Sequence, residues 1–497
     1  MKLKFSIAAI AVIATPTLIF AQDQVDALRY SQVIVGGTAR FMAMGGAFSA
    51  VGGDPSTLAY NPAGIGVFVK SQFTITPGFS FVNTTSTYNG TASSSGKAAM
   101  NIQNAAWIAS WKNRHNDGMW KNLSFGIAYN RTNNFNTDIN IQGYNTQNTL
   151  LDEFVNEANG TSYNNLDPFS TQQAFNAGGL IDTIKGEKGS SYFNIINPFL
   201  GKGSIMQQKA ISTWGSMGET DISFGGNYNN KLYLGATIGI PDIMFNENAA
   251  YTETPQYNDS VYGLQSYTWN TTLNTTGAGL NFKFGAIYRI LDWLRVGAAV
   301  HSPTWFSLTD NYSSYISATY NSTPAYPNGA GTFSGTPDGN PITGSYNYTL
   351  ITPMRAMGGL AVVIHHQAII SADYEYVDYS TAQFQSTPPG AFSAVNQTIQ
   401  QFYMPASNIR VGGELVLFPF SIRAGYVYYG NPYTSDAGNS TIRSSYSAGF
   451  GIKIRRCFID LAYVLTQYSE NYYIYGSNMA VNKVSASNVA FTFGAKL

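Results

Sequence analysis

Charge is scarce in this sequence. Lys, Arg, Asp and Glu together make up 11% of the residues, far below the roughly 25% of an ordinary soluble domain. The 27 basic and 27 acidic side chains cancel, so no basic excess exists to neutralise a phosphate backbone, which speaks against nucleic-acid binding. A single cysteine, Cys457, excludes an internal disulfide framework. No apolar run beyond the N-terminus reaches the roughly 20 residues that a membrane helix needs. What is abundant is aromatic and small: 34 Tyr, 30 Phe and 49 Gly.

The first residues have the form of a signal peptide over 1–21. Lys2 and Lys4 are its positive start. Phe5 to Phe20 is its apolar stretch, interrupted by Thr15-Pro16-Thr17, and Ala21 is its last residue. A retained anchor is the alternative, against which the short run argues. No cysteine lies near the cleavage position, so a lipoprotein anchor is excluded.

From about residue 71 onward one pattern recurs, in which apolar residues alternate with small or polar ones. Leu232, Leu234, Ala236, Ile238 and Ile240 form one clean set; Phe420, Ile422, Ala424, Tyr426 and Tyr428 form another. A period of two places such sets on one face of a strand. With these faces turned outward, Lys283, Arg295, Arg355, Asp373, Glu375, Arg410, Glu414, Arg423, Arg443 and Asp460 all turn inward. That arrangement suits a barrel in lipid, where an outward Arg or Lys at mid-membrane costs roughly 2–4 kcal/mol. The segments number about fourteen, and long connections alternate with short ones. The long ones are 84–101, 134–219, 247–263, 309–344, 381–406, 431–441 and 470–486. The short turns include Asn229-Asn230, Leu291, His365-His366, Pro419 and Arg455; the connection 112–121 is moderate and polar.

The expected fold is therefore an all-β transmembrane antiparallel β-barrel of about fourteen strands in the outer membrane of a Gram-negative bacterium, with long loops outside and tight turns in the periplasm. Its barrel domain is 71–497, and 134–219 is the largest loop. A barrel of this width needs a plug, since only about eight strands can be filled by wall side chains alone. The Gly-rich stretch 22–70 is suited to be that N-terminal hatch. It lacks the order of a phosphate-binding loop.

The segment Ala39 to Gly64 carries the pattern AR-x-x-AMGGAF-x-A-x-x-x-D-x-S-x-x-x-YNPAG. Two echoes follow, His301-Ser302-Pro303-Thr304-Trp305-Phe306 and Leu350-Ile351-Thr352-Pro353-Met354-Arg355. In these motifs the chain resembles the FadL/TodX family of outer-membrane transport proteins for hydrophobic compounds. The resemblance implies a fourteen-stranded barrel, a hatch in the lumen, and passive uptake of fatty acids or aromatic hydrocarbons. It places the hatch motif on Asn61, Pro62 and Ala63. It also implies capture between extracellular loops, and lateral exit through the wall beside an inward-kinked strand.

Three groups of residues are the site candidates. Asn61-Pro62-Ala63 forms either a rigid gating corner or a lead-in to the first strand. Lys283, Arg295, Arg355, Arg410 and Arg423 are inward cations, able either to receive a fatty-acid carboxylate or to pair with wall carboxylates. Ser124, Gly126 and Ala128 are the small inward residues of the third strand, 122–133. They leave room either for a bend that opens the wall or for the hatch. The expected ligand is a hydrophobic small molecule, a long-chain fatty acid first, handled by a monomer in contact with outer-membrane lipid. A surface adhesin, a polar porin and a haem-binding receptor are the alternatives. The histidines His115, His301, His365 and His366 form no spaced cluster, so no metal or cofactor is expected, and no nucleophile–base spacing suggests an enzyme.

Overall fold

Alternation of the kind described above closes into a cylinder only if every edge finds a partner, and it does. The computed structural model describes residues 23–113, 119–184, 190–197, 200, 203–256, 262–321, 331–336, 338–365, 367–386 and 390–497. The expected signal peptide, His115 and His366 lie outside these residues. The fourteen wall strands are β1 (Gln72–Tyr88), β2 (Thr91–Lys112), β3 (Trp120–Asn134), β4 (Ile205–Tyr228), β5 (Leu232–Pro255), β6 (Leu264–Arg289), β7 (Leu294–His301 continued by Trp305–Tyr320), β8 (Ile342–Ile351 continued by Arg355–Ile364), β9 (Ala368–Asp378), β10 (Pro405–Leu417), β11 (Phe420–Tyr429), β12 (Arg443–Ile454), β13 (Cys457–Tyr475) and β14 (Asn478–Lys496). Each pairs antiparallel with the next, and β1 pairs with β14 from Gln72↔Lys496 to Thr87↔Val481, closing the barrel.

The two faces sort as the alternation requires. Phe224 on β4 is 61% exposed, and Asp221, three residues earlier, is fully buried. On β6, Phe284 is 58% exposed and Lys283 2%. A belt of exposed Phe, Leu, Ile and Tyr surrounds a charged interior, the inverse of a soluble β-protein and the condition for life in hydrocarbon. Among the described residues no helix is long and apolar enough to cross a membrane. The chain is a membrane-spanning barrel of the outer-membrane type.

The short turns fall as expected. Asn229 and Asn230 both take positive φ, 54° and 55°, the geometry of a two-residue hairpin turn that asparagine tolerates. The long connections differ from expectation. Residues 84–101 are not a loop: β1 and β2 run on to a tight turn at Asn89-Gly90, whose φ angles are 45° and 80°. Residues 470–486 likewise continue as β13 and β14. Above the membrane both faces of a strand meet water or protein, so the apolar alternation fades into Ser, Thr and Asn. The Asn-Gly dipeptide was the remaining signal. The largest connection also shrinks, because Thr137–Asn145 and the start of β4 extend the wall.

The two sequence echoes coincide in space. Pro303 interrupts β7 and Pro353 interrupts the adjacent β8. Neither proline can donate to the ladder, and the wall resumes where Thr352 N donates to Thr304 O at 3.0 Å.

Residues 23–71 fill the lumen. Helices α1 (Gln24–Ser31), α2 (Ala39–Ala43) and α3 (Thr57–Tyr60) are joined by tight Gly turns, and a 3₁₀ turn covers Pro62–Val67. Gly45 and Gly46 (φ 61° and 70°) and Gly52 and Gly53 (φ 65° and 69°) take the left-handed conformation open to glycine at little cost.

Candidate functional site

From the loops inward, the lumen is stacked in four layers. The outermost is a cap. Its helices α4 (Leu150–Ala158) and α5 (Thr171–Asn176) pack Leu151, Phe154 and Ala174 against Tyr267, Tyr320 and Tyr475 from the strand extensions. Glu253, on the β5 extension, ties this cap to the wall. It accepts from Leu150 N at 3.0 Å, Gln207 Nε2 at 2.8 Å and Tyr251 OH at 2.6 Å, and also from the Thr149 hydroxyl. Burial raises the pKa of Glu253. In α4, burial pushes the Glu157 carboxyl up to about 7, although the Ser170 hydroxyl donates to it at 3.1 Å. A carboxyl raised on folding stabilises the cap fully below its unfolded pKa, and that contribution is lost as pH rises through the folded value. The cap is therefore expected to be cut faster by protease at pH 8 than at pH 5, and Glu157→Gln to narrow the difference. An unchanged ratio in that variant would assign the dependence elsewhere.

Below the cap lies an aromatic layer around α1. Tyr30 meets Phe135 and Phe245 edge-on, at centroid distances of 6.1 and 6.2 Å. Tyr348, Phe384 and Phe392 continue the layer. Arg29 sits over Phe245 at 4.2 Å and pairs with Asp26 within the helix. Sequence reading missed this layer, because its residues come from α1, six wall strands and the connections between them, with no wall strand giving more than two.

The third layer is polar. Lys283 pairs with Glu219 at 2.5 Å and Asp221 at 2.8 Å. Arg355 and Arg410 share Glu375, at 3.0 and 2.8 Å. His301 Nε2 donates to Tyr60 O of the hatch at 2.7 Å. Glu219, Lys283, His301, Arg355 and Glu375 line a cavity of about 60 Å³, space for a few waters. Deeper, Arg423 bridges Glu414 at 2.7 Å and Asp460 at 2.6 Å, and Arg40 of the hatch motif reaches the same Glu414 at 2.6 Å. Arg295 donates to the hatch carbonyl of Val51 at 3.2 Å. Of the five expected cations, four are thus bound to carboxylates and the fifth to the hatch.

The innermost layer is the hatch body. Asn61 is fully buried; its Nδ2 donates to Ser49 O at 2.6 Å and its Oδ1 accepts from Ala63 N at 3.1 Å. A Cβ added at Gly285 would lie 1.9 Å from Asn61 Oδ1, and one at Gly235 would lie 2.2 Å from Pro62 O. Asn61-Pro62-Ala63 is therefore seated directly on wall glycines.

Ser124, Gly126 and Ala128 lie where β3 is laddered on both sides, to Ser110, Ile108 and Ala106 of β2 and to Gly225, Ser223 and Asp221 of β4. No opening occurs at these three. A Cβ on Gly126 would stand 2.6 Å from Ile108 Cδ1 and 3.0 Å from Leu58 Cδ2, so this glycine makes room for the hatch. The ladder stops one turn of the pleat higher. β2 and β3 part above Asn104↔Asn130, and β3 shifts register against β4 between Arg131 and Asn133. Above this point β2 pairs with β1 alone among the described strands. The seam is bridged by Lys97 Nζ to Asp138 Oδ1 at 2.8 Å. From within, Ile34 N of the hatch donates to Thr132 O at 2.8 Å, and a Cβ on Gly36 would fall 2.2 Å from Arg131 O. The hatch amide of Ile34 thus satisfies one wall carbonyl, Thr132 O, where the strands part.

These features define a hatch-plugged outer-membrane barrel, with the fold of the solved channels for hydrophobic compounds. The chain is similar to a Pseudomonas aeruginosa FadL homologue at 13% identity, with TM-score 0.56 over 94% of this chain and 99% of that one. It is similar to the Pseudomonas putida toluene transporter TodX at 14% identity, with TM-score 0.53 over 93% and 99%. It is also similar to the monoaromatic hydrocarbon channel CymD at 12%, with TM-score 0.50 over 94% and 99%. No family model and no curated protein sequence matches the chain.

Proposed function

We propose that the chain carries small hydrophobic molecules passively across the outer membrane, and that uncharged apolar compounds suit it better than the long-chain fatty acids expected from the sequence. The observation that carries this reading is how the five candidate cations are engaged. A carboxylate ligand needs a cation to receive it, and all five candidates are engaged by carboxylates or by the hatch. The aromatic layer around Tyr30 and Phe245 suits a ring or hydrocarbon. The similar structures with named ligands, for toluene and monoaromatic hydrocarbons, point the same way.

In this reading the ligand enters under the cap and passes the aromatic layer as α1 shifts. It then leaves through the seam above Asn104 and Asn130 rather than beside Gly126. A side exit spares it water, which costs roughly 0.8 kcal/mol per exposed CH₂. Asn61-Pro62-Ala63 anchors the hatch while its upper part moves. Pro62→Ala is expected to lower uptake at normal surface level, and unchanged uptake would remove the motif from gating. Binding to the purified protein tests the ligand class. Toluene is expected to bind more tightly than oleate, and Phe245→Ala to weaken toluene. Tighter oleate binding, lost in Arg29→Gln, would restore the fatty-acid reading.

A further inference from the structure

Among the described inward cations Arg443 stands apart. It begins β12 and shares the inward face with the buried Ser445 and Ser447, while Tyr446 between those two faces out and is 53% exposed. Among the described residues no hydrogen bond or ion pair holds its guanidinium group, and its buried Nε has no partner. What it has is a ring: the guanidinium lies over Tyr468 of β13 at 4.4 Å. Stacking of this kind leaves the in-plane N–H groups able to donate elsewhere.

Glu470 is the second unmatched group. It follows Tyr468 on the same inward face of β13, and among the described residues no hydrogen bond or ion pair engages it. Its charge acts on Arg443 from beyond ion-pair distance. Asn482 of β14, opposite Glu470 in the ladder, is fully buried with neither amide atom hydrogen-bonded. Arg443, Tyr468 and Glu470 each keep part of their surface open, so the gap between the two charges faces the lumen. It adjoins the aromatic layer. Tyr433 packs on that layer, meets Tyr403 at 5.5 Å, and lies within reach of the charges of both Glu470 and Arg443.

We infer that this gap receives the hydroxyl of an aromatic alcohol, so that phenol-type molecules are the preferred cargo of the route proposed above, on which this inference rests. A phenolic oxygen accepts from Arg443 while its O–H donates to Glu470. Tyr468 and Tyr433 offer faces to the ring. Other ligand classes meet one of the two charges badly. A carboxylate answers Arg443 and is repelled by Glu470, and an ammonium group repeats the conflict with Arg443. A hydrocarbon leaves both charges unmet. A neutral hydroxyl serves both.

Toluene and p-cresol differ by one hydroxyl, and calorimetric titration of the full chain in detergent compares them. Cresol must shed its bound water on entry, so tighter binding than toluene requires partners inside. Wild type is expected to bind p-cresol about tenfold more tightly than toluene, as hydrogen bonds to charged groups allow. Arg443→Met with Glu470→Met removes both charges together, so neither is left buried alone, and should bring the ratio of the two affinities close to one. Should that variant fail to insert, p-methylanisole decides the matter on wild type. It keeps the acceptor oxygen, loses the donor, and should bind more weakly than p-cresol. Equal binding of toluene and p-cresol by wild type, a ratio unchanged in the double variant, or p-methylanisole bound as tightly as p-cresol would overturn the inference and leave the proposed function standing. Binding of neither toluene nor p-cresol would overturn it together with that function.

Discussion

Gly285→Val is expected to unseat the hatch and turn a closed barrel into an open pore. The added Cβ would stand 1.9 Å from Asn61 Oδ1 and 3.0 Å from Pro62 Cδ. Asn61 has nowhere to retreat, because its amide is held by Ser49 O at 2.6 Å. Overpacking of this kind costs about 1–3 kcal/mol, and the collision recurs along the branched side chain. The strand itself survives, since Gly285 keeps its ladder partners Gly235 and Ala299. The wall should assemble while the plug does not seat. Planar-bilayer recording should show large, steady conductance in the variant and little in wild type. A variant as closed as wild type would show that these glycines do not hold the hatch.

Glu375→Leu is expected to be the most destabilising single change in the lumen. It removes the shared partner of Arg355 and Arg410, at 3.0 and 2.8 Å, and the acceptor of Asn408 Nδ2 at 2.8 Å. Breaking a buried pair from one side costs roughly 3–5 kcal/mol, because an uncompensated charge stays behind. Here two guanidinium groups are left. Replacing all three ionic groups with apolar residues of similar size should recover much of the loss, since the pairs themselves are close to neutral in net energy. Unfolding in urea with folded lipid vesicles measures both variants. A triple variant no more stable than Glu375→Leu would contradict this reading of the network.

The wall was legible because lipid enforces a rule on every second residue. Leu234 had to face out and Lys283 in, and no tertiary context could reverse either. The hatch was legible through its glycines and through Asn61-Pro62-Ala63, whose close packing admits few alternatives. Legibility ends where water replaces lipid. Residues 84–101 read as a loop because Ser93, Ser94 and Ser95 alternate nothing, although they form a hairpin. The cations show a different limit. Inward direction follows from period two, but partners do not: Lys283 on β6 meets Glu219 and Asp221, both on β4, with β5 between them. Gly126 shows a third limit, since a small residue marks close approach without saying whether a ligand path or the hatch is what approaches. The aromatic layer was invisible for the same reason as most binding sites. Tyr30, Phe135, Phe245 and Tyr348 converge only when the barrel closes.

On the function proposed above, this barrel passes apolar molecules across the outer membrane without an energy source. The direct measurement is the initial rate of labelled toluene entry into uncoupled cells with and without the chain, at matched surface expression of a hatch-intact barrel. Faster entry is expected with the protein, with no effect of the uncoupler on the difference. Equal rates with and without the protein would contradict it.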